Sequence, residues 1–507
     1  MTVGLLALLS TSTTVPVTYT VDATQRKPIS PYIYGNNFPD WKVQSGLFTL
    51  ARMGGNRLTA YNWETNASNA GNDYHHQNDG YMGESNEPGW SVRQFLDPAQ
   101  SHGAAVLLTV PTAGYVSADK KGDGDVNQTP DYLNVRFFRS LSTKPGKFSL
   151  IPDTKDRFVY QDEFVNWVEK VKRPSTPVWF SLDNEPDLWG STHQRIWPKN
   201  PMYAQILANN VDFAAAIKRA APNSLVFGPA NYGWMGFRTF QGAPDANGRD
   251  FLDFYLDGIK KAAAKAGRRL VDVLDIHWYP EAKGGGVRIA FEGGNEATRA
   301  ARIQAPRSLW DPTYVDGSWI EDTIGKQPIR LIPRIQKQIA ANNPGTKFAI
   351  TEYNYGGGKD VSGLLAQADV LGIFGREGLF AATAFVVGPG DVAHMAGFRA
   401  YRNIDGKGTK FGEIGLGVSG GDPASDSLYA ATTANGRLIT LVAINKTKSP
   451  RPLNVAIKGF SSVGAKGFVY TAANFSTPGT LAATSKGCNL LATLLAESVT
   501  TFLVTKL

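Results

Sequence analysis

One cysteine, Cys488, stands alone in 507 residues, so no disulfide forms within the chain. That neither requires nor excludes export. No run approaches the ~18 consecutive apolar residues of a membrane span. Charged residues make up only 19%. The net charge is +8, yet the cations do not gather as a nucleic-acid face requires. The densest sets are Lys260, Lys261, Lys265, Arg268 and Arg269, and the run Lys170 to Arg173. Both fall at the ends of helix-like segments, where cations suit the helix dipole. Internal repeats and low-complexity linkers are also missing. A disordered chain, a disulfide scaffold and a membrane-spanning protein are excluded, and neither a nucleic acid nor a membrane is expected as partner.

What is present is 42% hydrophobic and 11% aromatic residues, which suits a large core and an aromatic-lined cleft. Strand-like runs alternate with helix-like ones. The strands are expected at Ile33-Tyr34, Gly55 to Tyr61, Ala105 to Val110, Val178 to Leu182, Leu225 to Gly228, Val273 to His277, Phe348 to Thr351 and Ala382 to Val387. Several are continuous apolar runs, as parallel strands covered on both faces require. Amphipathic helices are expected at Asp162 to Lys172, Tyr203 to Ala220, Phe251 to Ala266, Ile329 to Ala341 and Leu364 to Phe374. Repeated strand–helix units imply a parallel sheet with right-handed crossovers, and their number implies a (β/α)8 TIM barrel over residues 31–395.

From about residue 396 helical periodicity gives way to short β-branched runs punctuated by Gly, Pro, Asn and Ser. Residues 396–507 therefore read as an antiparallel β-sandwich. Val17 to Val21, within residues 1–30, is also strand-like and is expected to join that sandwich. The start, MTVGLLALLSTSTTVPV, has a short apolar patch without a basic flank, and reads as the remnant of a trimmed signal peptide.

In such a barrel the C-terminal ends of the strands carry the chemistry. The fourth ends in VWFSLDNEPDLWG, Val178 to Gly190, an apolar run driven into Asp183, Asn184, Glu185 and Pro186. The seventh ends in Thr351, Glu352, Tyr353 and Asn354. Two glutamates across a barrel mouth can divide glycosidic catalysis: one protonates the leaving oxygen and the other attacks the anomeric carbon. Asn184 is expected to bond the sugar 2-hydroxyl, Tyr279 or His277 to hold the nucleophile's second oxygen, and Arg57 to keep Glu352 ionised. Trp63, Trp189, Trp234, Trp310 and Trp319, with Tyr353, are expected to stack against sugar rings. A turn at Asn-Glu-Pro and a packed His277 are the plain readings against these.

Phe180 to Trp189 (FSLDNEPDLW) and Ala349 to Gly357 (AITEYNYGG) resemble the catalytic motifs of glycoside hydrolase family 44, bacterial endoglucanases that also act on xyloglucan. Ile33 to Asn37, Arg57 to Glu64, Asp275 to Pro280 and Arg307 to Tyr314 are similar too, so the resemblance covers nearly the whole chain. It implies a barrel plus sandwich and a retaining mechanism, with Glu185 as acid/base and Glu352 as nucleophile. No catalytic cofactor is implied, and the expected partner is a β-glucan. It further implies a secreted bacterial enzyme and a structural calcium ion. For the calcium, Asp123 with Asp125, or Glu64 with Asp153 and Asp156, are the candidate ligands. A monomer is the default. The alternatives are an α-L-arabinofuranosidase of the family 51 kind, which shares the barrel, sandwich and Asn-Glu-Pro-like motif, and a polysaccharide-binding protein without catalysis.

Overall fold

The computed structural model describes residues 16–290, 294–460 and 463–506. Most of the segment read as a signal-peptide remnant lies outside them. The chain divides into two compact units: Ser30–Phe398, and the segment ending at Ile29 together with that starting at Arg399.

In the larger unit eight parallel strands close into a barrel in chain order. They are β1 (Gly35–Asn37), β2 (Leu50–Met53), β3 (Ala105–Val110), β4 (Val178–Leu182), β5 (Val226–Tyr232), β6 (Val273–Trp278), β7 (Lys347–Tyr353) and β8 (Ala381–Ala384). β3 and β4 are buried along their whole length, which is why their sequences are apolar without alternation. β2 departs from expectation. Gly55 has φ +90° and opens a helical turn at Asn56–Thr59, so the strand lies earlier, in Leu50–Met53.

The barrel interior changes character along its axis. Leu50, Leu107, Trp179, Phe227, Val273, Ala349 and Ala381 fill the lower part, where Trp179 stacks on Phe227 at 5.6 Å. Burying each of the larger side chains contributes about 1.5–3 kcal/mol. Successive side chains alternate faces in a strand, so two residues farther on point inward again. On β2, β3, β4, β6, β7 and β8 those positions are Arg52, Thr109, Ser181, Asp275, Thr351 and Thr383, all buried. Buried polar groups must find partners. Accordingly, Thr351 Oγ1 donates to Asp275 Oδ1 at 2.7 Å, and Asn37 Nδ2 donates to the carbonyls of Thr351 and Ala384, both at 3.0 Å. An apolar plug below and a polar layer above bring the charged groups to the end where the strand-following loops meet.

Helices Gln161–Val171, Tyr203–Ala220, Phe251–Ala266 and Leu331–Asn342 lie within two residues of the positions expected. Val361–Glu377 differs. It is longer than its amphipathic reading and buried on every side from Val361 to Gly375. Long insertions follow β3 and β6. After β3, the strands Tyr115–Ser117, Phe137–Leu141 and Phe158–Tyr160 form a small sheet.

The smaller unit is one ten-stranded sheet. Phe502 and Val504 from its last strand pack with Leu441, Val455, Leu490 and other apolar side chains into one core. Strands Val463–Tyr470 and Ala483–Lys486 are distant in strand order yet approach each other, so the sheet folds over on itself. The N-terminal strand Val17–Pro28 does join it, pairing antiparallel with Ile414–Gly420. Its other neighbour, Arg451–Lys458, runs parallel to it, so the unit is not purely antiparallel. Strands so far apart in sequence are free of the antiparallel constraint that a hairpin imposes.

Candidate active site

β4 ends in two residues with left-handed backbone, Asp183 at φ +64° and Glu185 at φ +41°. Each costs a non-glycine residue about 1–3 kcal/mol and persists only where the surroundings hold it. Asp183 supplies that hold. Its carboxylate accepts hydrogen bonds from Thr59 Oγ1 at 2.6 Å and from the backbone N–H groups of Asn184 at 2.8 Å and Ala113 at 3.1 Å; the Thr112 N–H donates to it as well. These bonds tie the β4 end to the segments after β2 and β3. Burial pushes Asp183 up to about 6 despite these donors.

Glu185 and Glu352 face each other at the mouth, with His277 between them. A nitrogen of His277 and one carboxylate oxygen of each glutamate all lie within 4.8 Å of one another. His277 Nδ1 is 2.8 Å from Glu185 Oε1 and 3.5 Å from Glu352 Oε2. Burial holds the imidazole well below its usual range, helped by the Arg52 charge, so it is neutral at pH 7. Tyr279 donates its hydroxyl to Glu352 Oε2 at 2.6 Å. Arg52 donates from Nη1 to Glu352 Oε1 at 2.7 Å and to Asn37 Oδ1 at 3.0 Å, and from Nη2 to Asn184 Oδ1 at 2.8 Å. A Cβ on Gly54 would sit 2.3 Å from the Arg52 guanidinium carbon, so only glycine lets the arginine lie there.

The two glutamates are electrically unequal. Burial raises both. For Glu185 the charges of Glu352 and Asp187 add to that, and its carboxyl is pushed well above the usual range. For Glu352 the Arg52 cation and the Tyr279 hydroxyl oppose it. The proton shared by the pair therefore rests on Glu185, and Glu352 carries the charge.

The profile of glycoside hydrolase family 44 matches residues 67–282. Endoglucanase A of Paenibacillus lautus is 42% identical over 455 residues, which are 85% of this chain and 64% of that protein. A beta-mannanase/endoglucanase A of Caldicellulosiruptor saccharolyticus is 39% identical over 483 residues, 86% of this chain and 36% of that protein. The chain thus spans about two thirds and about one third of these relatives. A solved family 44 xyloglucanase from Paenibacillus polymyxa superposes with a TM-score of 0.92 at 35% identity, covering 97% of this chain and 99% of that one. The chain belongs to glycoside hydrolase family 44.

In this family 44 protein several expected residues sit elsewhere than their reading required. Arg57 does not reach Glu352. It lies beyond the end of β2 and pairs with Asp79 at 2.5 Å. Arg52 takes the expected role instead, and the displaced reading of β2 is why it went unnamed. Asn184 presents its oxygen to Arg52, and its Nδ2 donates to Asn56 Oδ1 at 3.1 Å.

Trp63, at 1% exposure, packs against Phe164 and Trp167. Trp189 is fully buried and its indole N–H donates to the Asn184 carbonyl at 3.0 Å. Trp234 is buried with its N–H on Thr323 Oγ1, and Tyr353 is buried with its hydroxyl accepting from Gln367. These four rings have no open face for a sugar and hold the walls of the site instead. Trp310 is half-buried beneath Arg376, whose guanidinium lies 3.9 Å from the ring centre. Trp319, 40% exposed, keeps a ring open to solvent. Phe385, just beyond β8 and half-buried, faces Gly55, whose N–H donates to Asn184 Oδ1 at 3.2 Å. It was not anticipated, because the eighth strand was expected to continue through it.

Of the other candidate calcium set, Asp123 pairs with Arg136 at 2.7 Å and Asp125 with Arg195 at 2.6 Å, so each already has a cation beside it. Glu64 differs. It is buried, its Oε2 has no hydrogen-bond partner, and its carboxyl is pushed up to about 8 by burial and by the charges of Asp156, Glu163 and Asp153. Among the described residues the only acid and imidazole set with ligand atoms gathered within 4.8 Å is Glu185, His277 and Glu352, whose charge Arg52 already answers.

Proposed function

We propose that the protein is a retaining, endo-acting hydrolase of internal β-1,4-glucosidic bonds in cellulose and related β-glucans, xyloglucan among them. The observation that carries this reading is the unequal pair: Glu185 and Glu352 offer oxygens within 4.8 Å, with Arg52 and Tyr279 on Glu352 alone. That spacing belongs with the ~5–5.5 Å of retaining enzymes and leaves no room for the water that an inverting pair must hold.

In the first step a Glu352 oxygen attacks the anomeric carbon while the bond to the leaving oxygen breaks. The Glu185 proton passes to that oxygen. The product is a glycosyl ester on Glu352 and a free chain end. The ester has no charge, so the repulsion that raises Glu185 disappears and its pKa falls. Glu185, now a carboxylate, takes a proton from water as the water attacks the same carbon. Glu352 is released, and two inversions give retention. Neutral His277 steadies Glu185 without adding a charge, while Tyr279 fixes the second oxygen of the nucleophile. Asn184 has a second amide hydrogen free for a sugar hydroxyl.

Exposed Trp319 and half-buried Trp310 are the remaining candidates for ring stacking. A polymer substrate requires an extracellular setting, and a monomer suffices, since every group in the scheme comes from one chain. A structural calcium ion is part of the reading. Oxygen donors suit it, and Glu64 with its orphaned oxygen would be one ligand; Asp153 and Asp156, which do not gather with it within 4.8 Å in this structure, would have to close on the ion.

The test is chemical rescue. Glu352→Gly should lose turnover of an aryl β-cellobioside by orders of magnitude and regain it in azide, releasing an inverted glycosyl azide. On carboxymethyl-cellulose the wild type should lower viscosity well before reducing ends accumulate. Release of arabinose from an aryl α-L-arabinofuranoside, with no fall in the viscosity of carboxymethyl-cellulose, would replace this reading with the side-chain-trimming one.

A further inference from the structure

Tyr81 is 78% exposed, yet it is not loosely held. The Arg57 guanidinium lies 4.3 Å from the centre of its ring, and the same guanidinium lies 5.9 Å from the ring of Tyr74, which is also exposed. Asp79 fixes both parts of this stack. Its Oδ1 accepts from Arg57 Nη1 at 2.5 Å and from the Tyr81 backbone N–H at 3.0 Å. Ser68 Oγ donates to Arg57's partner oxygen at 3.3 Å, and Arg57 Nη1 donates to Ser68 Oγ at 3.0 Å. One face of Tyr81 is thus backed by a pinned cation, and the ring remains largely open to water.

The stack is attached to the catalytic mouth. Arg57 follows Asn56, whose Oδ1 accepts from Asn184 Nδ2 at 3.1 Å and whose Nδ2 donates to Asp73 Oδ2 at 2.9 Å. Asp73 in turn precedes Tyr74. A continuous hydrogen-bonded path runs from the neighbour of Glu185 to the edge of the aromatic pair.

We propose that Tyr81, backed by Arg57 and Asp79 and flanked by Tyr74, is a stacking subsite for a neutral pyranose ring of the polysaccharide, distal to the scissile bond. The chemistry selects that ligand. An aromatic face suits the apolar face of a pyranose. The guanidinium beneath the ring is already paired with a carboxylate, so the shelf offers no net charge to an acidic sugar. Being distal, it contributes only to chains long enough to reach it. The inference rests on the hydrolase reading for the identity of the polymer.

Cellohexaose and cellobiose binding, measured by calorimetry in a Glu352→Gln background so that neither is consumed, tests it. Tyr81→Ala should weaken cellohexaose about 5–10-fold, the size of one aromatic stacking contact, and cellobiose far less. Tyr81→Phe should restore hexaose binding, because the hydroxyl has no part in the shelf. Unaltered hexaose affinity in Tyr81→Ala, or an equal loss for both sugars, overturns the proposal. Failure of the wild type to turn over an aryl cellobioside would instead remove the hydrolase reading, and the binding comparison would still decide the shelf.

Discussion

Arg52 is the residue on which the division of labour between the two glutamates depends, and its removal has a calculable effect. Its guanidinium is fully buried, 2.7 Å from Glu352 Oε1. Two unit charges about 4 Å apart interact by about 4 kcal/mol at an effective dielectric of about 20. That is about three pH units on the ionisation of Glu352. Arg52→Met deletes the cation and leaves the Tyr279 hydrogen bond. Glu352 then holds its proton to higher pH, and the acid limb of kcat/KM moves toward alkaline pH by about 1–3 units. At a pH below the wild-type limb the rate falls by about 10- to 1000-fold, the loss that a shift of about 1–3 units produces, because the nucleophile is largely protonated. Arg52→Lys keeps a charge but loses the second branch to Asn184, so its limb should move less. The assay is kcat/KM for an aryl β-cellobioside across the pH range. Stability gives a second readout. A buried carboxylate stripped of its partner costs about 3–5 kcal/mol, but only while it is ionised. With its folded pKa raised further, Glu352 binds more protons folded than unfolded, so the stability of Arg52→Met falls as pH rises and its melting deficit shrinks toward acid. A lower rate with an unmoved acid limb would refute the electrostatic argument and leave Arg52 as a mere support for Asn184.

Glu64 has a carboxyl raised from 4.5 to about 8, so it binds more protons folded than unfolded between those values. In chelator, the melting temperature should therefore fall as pH rises through that window, and Glu64→Gln should flatten the dependence. Added calcium should raise the wild-type melting temperature at pH 8 and leave Glu64→Gln nearly unmoved; no response of the wild type removes the calcium proposal. Trp189→Leu should lower stability by about 2–4 kcal/mol, through the lost volume and the orphaned Asn184 carbonyl, with KM little altered. A raised KM at an unchanged melting temperature would return Trp189 to the substrate.

Much of the barrel was legible because parallel strands buried on both faces write themselves as apolar runs. Ala105–Val110 and Val178–Leu182 fall where those runs are, and Tyr203–Ala220 and Phe251–Ala266 where the helical period is. β2 was not legible, because its four residues, Leu-Ala-Arg-Met, are too short for a period and contain a cation. The parallel pairing of Val17–Pro28 with Arg451–Lys458 was also invisible. It joins segments separated by most of the chain, and no local turn signals it.

The site divides in the same way, and for one reason. Glu185 and Glu352 were readable since each ends a strand whose apolar run marks its position. Three of the tryptophan assignments, Trp63, Trp189 and Trp234, went astray because a tryptophan in a Gly/Pro-rich loop is ambiguous between a platform and a wall. Trp63, Trp189 and Trp234 are walls: the mouth of a barrel needs rigid packing to hold left-handed residues such as Asp183 and Glu185 against their own preferences. Arg52 needed a different kind of inference. A charged residue inside a buried strand is costly unless it is paired. Once Leu50 and Arg52 share the inward face, the alternation that makes Leu50 part of the plug sends Arg52 upward into the polar layer, beside whatever carboxylate the opposite strands present. Strand register, more than residue type, therefore decides which arginine serves the nucleophile, and Arg57, a few residues on, was in the right loop with the wrong phase.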